Sequence, residues 1–212
     1  IPLRLVGSEM CIRDSPYTGE DYFAYVDGKP RYDGVRDFLA SRGITLPEGD
    51  PSDGPAAQTI CGLGNRKNDL FNTLLARDGI QPYPGSRRWV DRLHESGMAM
   101  AVVSSSRNAA AVLKAAGMAE DFSVLVDGNR SKAERLPGKP APDTYLRGAE
   151  LLGVPAEECV VVEDAVSGVR AGAAGGFGMV LGVNRGVGAD RLREAGADRV
   201  VDDLDEMVEE MA

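Results

Sequence analysis

Apolar residues recur along this chain in two rhythms, and the change falls near residue 83. Before it, apolar and aromatic positions at helical spacing predict helices over 21–26, 32–41 and 68–77. After it, short apolar runs at 98–103, 123–126, 159–162, 179–183 and 199–201 predict strands. The lack of polar alternation in runs such as 159–162 suits strands covered on both faces, as in a parallel sheet. Helical stretches at 107–116, 165–174 and 204–211 alternate with these runs, which implies right-handed crossover units and a parallel sheet. Pro82-Tyr83-Pro84-Gly85 closes the helical part, and the glycine-rich 172–178 ends one helix and turns into the next strand. The chain therefore divides into a helical segment, 16–82, and an α/β core, 83–212, while residues 1–15 fit neither.

Three polar motifs lie where the strand runs end. Ser104-Ser105-Ser106 hands over to a helix, and free backbone N–H groups and the positive end of a helix dipole favour phosphate at such a junction. Taken alone, the triplet reads first as a helix cap. Lys139 sits in Gly138-Lys139-Pro140-Ala141-Pro142-Asp143, where Pro140 biases it toward extended backbone and Pro142-Asp143 suits a first helical turn. A stiff frame of this kind aims an ammonium, which phosphoryl transfer needs, although most lysines are simply solvated. Glu163-Asp164 brings two carboxylates to the C-terminal end of a strand, where open α/β sheets bind ligands and hard oxygen donors suit Mg²⁺. The plainer role for Asp164 is an ordinary helix cap.

Serine after one strand, lysine before a helix and Glu-Asp after a later strand together resemble the haloacid dehalogenase-like superfamily, in its β-phosphoglucomutase-like branch. The resemblance runs from about Gly19 to the C-terminus and includes Tyr25-Val26-Asp27-Gly28-Lys29-Pro30-Arg31 and Gly62-Leu63-Gly64-Asn65-Arg66-Lys67-Asn68. It implies an α/β fold, a Rossmann-like parallel-sheet core with a small α-helical cap inserted after the first strand. It further implies that Ser104 is the phosphate-binding hydroxyl and Lys139 the lysine of the third motif. Ser105, Ser106 and Asn108 become substrate contacts. Asp164 and Glu163 become the metal-binding pair, with Asp164 the direct ligand, and Arg31 and Lys67 serve a distal phosphate from the cap. The implied activity is Mg²⁺-dependent phosphoryl transfer on a small sugar phosphate, by a phosphomutase or a phosphatase. A mutase must hold a second phosphate, so Arg31 and Lys67 favour it.

The sequence departs from this family at the first motif. Asp-x-Asp-Gly should end the first strand and supply both the nucleophile, which forms an aspartyl-phosphate, and the acid/base, yet the 212 residues contain none. Asp203-Leu204-Asp205 lacks the glycine and reads as a cap of the last helix, and Asp27-Gly28 reads as a turn. The expectation is an N-terminally truncated enzyme, inactive as written, or a phosphate-binding pseudoenzyme. Leu3-Arg4-Leu5-Val6 is expected to act as a makeshift first strand, with Gly7-Ser8-Glu9 near the place of the nucleophile.

Composition narrows the classes without choosing among them. A 43% hydrophobic content suits a globular core, and a net charge of −9 argues against a general nucleic-acid surface. Cys11, Cys61 and Cys159 are widely spaced and His94 is the sole histidine, so neither a disulfide framework nor zinc is indicated and a reducing cytoplasm is the natural inference, while the oligomeric state stays open with a monomer slightly favoured. No stretch suits a membrane span, and the glycine pairs lack the Gly-x-Gly-x-x-Gly context of a dinucleotide fold.

Overall fold

A computed structural model describes residues 16–210; the expectations for residues 1–15, including the strand at 3–6, lie outside them. The chain forms two compact units, one running up to Leu74 and the other from Leu75 onward.

The first unit is helical. Thr18 opens it with a reciprocal cap: its hydroxyl accepts from the Asp21 N–H at 3.2 Å, and the Asp21 carboxylate accepts from the Thr18 N–H at 2.8 Å. The short helix Gly19–Asp21 widens into a π-helical turn over Tyr22–Val26, and Asp27-Gly28 makes a turn, with Gly28 at φ 68°. Helix Arg31–Ser41 follows, then an extended loop, then helix Ile60–Asp78. Leu39, Ile60 and Leu63 form its buried cluster, with Tyr32, Val35, Ile44 and Leu46 packed around them. Helix Ile60–Asp78 starts eight residues before the position expected from spacing, because Ile60, Cys61 and Leu63 are core residues. Their burial outweighs the low helix propensity of the intervening Gly62 and Gly64.

The second unit is α/β. Helix Pro84–Glu95 opens with proline at its first position, which needs no N–H partner there. Strands β1 (Ala101–Val103), β2 (Val124–Val126), β3 (Val160–Glu163), β4 (Met179–Val183) and β5 (Arg199–Val201) follow, separated by helices Ala109–Ala115, Gly128–Glu134, Asp143–Leu152, Val166–Ala174 and Ala189–Glu194. Helix Asp205–Glu210 comes last. Every strand pair is parallel: β1 pairs with β2, and β4 lies between β3 and β5. Among the described residues these are two separate sheets, and no described strand pairs with both β1 and β3.

Burial explains the arrangement. Leu181, Val183, Val201 and Leu204 form a cluster joined by Trp89, Val162 and Met207. Val169 and Ala171 of helix Val166–Ala174 are fully buried, and that helix packs on β3 and β4. Each buried Leu or Val among these contributes about 1.5–3 kcal/mol by leaving water. β1 begins at Ala101 rather than 98, since Met98 is exposed and residues 98–100 form no ladder.

Candidate active site

The loop after β1 starts by continuing the sheet: the Ser104 N–H donates to the Val126 carbonyl at 2.9 Å. It then folds on its own hydroxyls. Ser104 Oγ accepts from the Ser106 N–H and Ser106 Oγ accepts from the Asn108 N–H, each at 3.1 Å. Helix Ala109–Ala115 begins directly after, with no side-chain cap from Asn108. Ser106 thus serves the turn before the helix, and its exposed side makes the loop accessible.

A second loop clamps this one. Asp127, 8% exposed at the end of β2, accepts from the N–H groups of Asn129 and Arg130 and so caps helix Gly128–Glu134. The Asn129 amide donates both to Asp127 and, at 3.0 Å, to the Arg107 carbonyl, while the Gly128 N–H donates to the Ser106 carbonyl at 3.1 Å. A Cβ on Gly128 would stand 2.6 Å from the Ser105 carbonyl oxygen, so only glycine allows this approach. Asp127 and Asn129 were not singled out in the sequence; an Asp just after an apolar run, capping a helix of little apolar periodicity, was the available signal.

Lys139 lies between the two sheets. Its Nζ donates to Glu163 Oε1 at 3.0 Å and lies 3.5 Å from the Val103 carbonyl, so one ammonium touches the C-terminal ends of both β3 and β1. The lysine side chain is 5% exposed and the glutamate 13%. Burial pushes the Glu163 carboxyl above its ordinary range; Lys139 opposes that shift and the charge of Asp164 adds to it. The glutamate has room because helix Val166–Ala174 presents Gly168, where a Cβ would fall 1.8 Å from Glu163 Oε1. Beneath the ammonium, at 4.6 Å, lies the ring of Tyr145.

Asp164 stands exposed at the end of β3. Among the described residues no group of three or more His, Cys, Asp or Glu side chains could hold a metal ion. One exposed carboxylate backed by a second suits a cation that retains most of its water, as Mg²⁺ does, better than a metal needing a full protein cage.

Arg31 and Lys67 lie in the first unit. The Arg31 guanidinium donates to Asn65 Oδ1 at 3.2 Å and to Asn68 Oδ1 at 2.6 Å. Lys67 is exposed as a residue, yet shielding of its ammonium, and secondarily the charge of Arg31, hold its pKa below the usual lysine value. Both line a cavity of about 30 Å³ whose walls include Val26, Phe38, Leu39 and Leu63. The structure thus gathers Ser104, Lys139 and Glu163 in one unit and Arg31 and Lys67 in the other.

The parallel α/β core thus brings a serine loop, a buried lysine and a Glu-Asp pair together at its strand ends. The chain belongs to the haloacid dehalogenase-like hydrolase family, whose profile matches residues 11–176. It is 51% identical over 191 residues to a β-phosphoglucomutase of Mycobacterium bovis, covering 89% of this chain and 73% of that protein. It is 33% identical over 190 residues to hexitol phosphatase A of Escherichia coli, covering 89% and 77%. Among solved structures it resembles CbbY from Rhodobacter sphaeroides in complex with xylulose-(1,5)bisphosphate, with TM-score 0.70, 25% identity, and coverage of 93% of this chain and 85% of that one. These relatives support an enzyme lineage acting on sugar phosphates by phosphoryl transfer.

Proposed function

We propose that this chain carries the phosphate-binding core of a Mg²⁺-dependent phosphomutase or phosphatase for a small sugar phosphate, and that the 212 residues alone bind such a ligand without turning it over. The observation that carries the reading is the Lys139 ammonium, fixed at the ends of β1 and β3 beside the serine loop.

Ser104 and the N–H groups of its loop receive the phosphate oxygens, and Ser105, Ser106 and Asn108 line the approach. Of the Lys139 donors, the one aimed at Val103 makes the weaker contact at 3.5 Å and loses least by turning to a phosphate oxygen. Glu163 keeps the other donor and so fixes the nitrogen in place. Asp164, together with Glu163, would hold Mg²⁺, which would supply neutralisation of phosphoryl charge. Arg31 and Lys67 give the first unit an anion site of its own, beside the cavity that both line. The relation to the Mycobacterium bovis enzyme favours the mutase.

Turnover fails for a chemical reason. Serine, lysine and Mg²⁺ provide binding and charge, but the sequence has no Asp-x-Asp-Gly to attack phosphorus and protonate the leaving oxygen. Phosphate release and glucose-phosphate isomerisation assays with purified protein and Mg²⁺ should therefore read background, while titration with β-glucose 1-phosphate should shift the NMR signals of Ser104, Lys139 and Asp164 together. Metal-dependent turnover abolished by Asp164→Asn would overturn the inactivity, and shifts confined to other residues would overturn the site.

A further inference from the structure

A lysine held by one carboxylate is fixed in distance but not in direction, because an ammonium on four methylenes can swing about its ion pair. At Lys139 a second element restricts that swing. The proline-bracketed turn after it closes with the Ala141 N–H donating to the Gly138 carbonyl at 3.0 Å, and helix Asp143–Leu152 then starts back beneath the lysine. The first turn of that helix carries Tyr145, whose ring centroid lies 4.6 Å from Lys139 Nζ. A cation over the negative face of an aromatic ring is attracted to it, and more strongly where water is absent. Tyr145 is 7% exposed, and Phe177 meets its ring edge-on at 6.0 Å and 77°, which fixes the plane presented to the ammonium.

We infer that Tyr145 is a positioning residue for Lys139: its ring is the platform that, with Glu163, points the ammonium at the phosphate. The ring does this and the hydroxyl does not. The Tyr145 hydroxyl is buried on the Glu163 side and, among the described residues, makes no hydrogen bond of sound geometry, so the contact with the ammonium is made by the ring face. The inference rests on Lys139 being a phosphate ligand, as proposed above.

Two substitutions separate ring from hydroxyl. Tyr145→Phe keeps the platform, and Tyr145→Leu removes it while keeping an apolar side chain. The binding readout is the Kd for orthophosphate with Mg²⁺, followed by NMR. The independent readout is the ring-current shift of the Lys139 ε-methylene protons, which requires no ligand. Tyr145→Leu should weaken phosphate binding by roughly fivefold and abolish the upfield ring-current shift, and Tyr145→Phe should leave both as in the wild type. If Tyr145→Leu does not unfold cooperatively, the wild-type and Tyr145→Phe ring-current shifts still decide: no upfield shift in either sinks the platform. Wild-type binding with an unchanged Kd in the Leu variant overturns this inference alone, as does a weakened Kd in the Phe variant. A wild type that binds no phosphate, yet shows the ring-current shift, overturns instead the assignment of Lys139 as a phosphate ligand.

Discussion

The two units carry cations in opposite electrical circumstances. In the core, Lys139 meets a carboxylate, a carbonyl and an aromatic face, so its charge is answered before any ligand arrives. In the cap, Arg31 is met by two neutral amides, and the charge nearest to Lys67 that shifts it is that of Arg31 itself. Among the described residues, neither cap cation forms an ion pair with a carboxylate. The core has thus fixed one charge at the cost of neutralising it, and the cap keeps two charges unneutralised with less to fix them.

The sharpest way to break this comparison is to delete one cation from each unit. Lys139→Ala leaves the buried Glu163 carboxylate without its partner and should cost about 3 kcal/mol in denaturant unfolding, together with loss of phosphate binding. Lys67→Ala should change stability by less than about 0.5 kcal/mol, since it removes a charge that nothing compensates. Equal losses would mean that the cap charges are answered after all.

The next effect tests whether room for Glu163 is what makes the core arrangement possible. Gly168→Ala places a Cβ against the carboxylate and should cost about 1–3 kcal/mol by overpacking, with weaker phosphate binding as Glu163 pulls Lys139 aside. A fully stable variant with unchanged binding would show that the glutamate has another position of equal quality.

The smallest effect is a pH slope. Shielding holds the Lys67 pKa below its unfolded value of 10.5, so between the depressed value and 10.5 the unfolded chain binds more protons than the folded one. Stability therefore carries a penalty below that window which is relieved as pH rises through it. Unfolding midpoints of wild type and Lys67→Met should converge toward pH 10.5, and a saturating sugar bisphosphate should remove the difference by supplying the missing anion. A pH-independent difference would place the Lys67 charge in ordinary solvent.

The sequence made some of this legible and hid the rest for definable reasons. The strands ending at Val103, Val126 and Val183 were readable because unbroken apolar runs are what a covered parallel strand requires. The expected cap of the last helix was readable too, since Asp203 Oδ1 accepts from the Asp205 N–H at 3.1 Å. Helices Gly128–Glu134 and Ala189–Glu194 were invisible because their polar sequences carry no apolar stripe; a cap residue and tertiary support hold them instead. Ser104, Lys139 and Glu163 stood at strand ends and could be named, but the partners that hold them could not. Tyr145 lies six residues beyond Lys139 with no periodic relation to it, and Gly168 shows only as a small residue in a helix; both matter through contacts that exist once the chain is folded.

Burial of Lys139 also makes it a chemical reporter. A primary amine must be accessible to be acylated, and this one is enclosed and paired with Glu163. Brief treatment with an acylating reagent should mark an exposed lysine such as Lys132 while leaving Lys139 unmodified for as long as the core stays closed. The label on a single peptide, read by mass spectrometry, then measures how often the strand ends come apart, on a timescale that no static structure records.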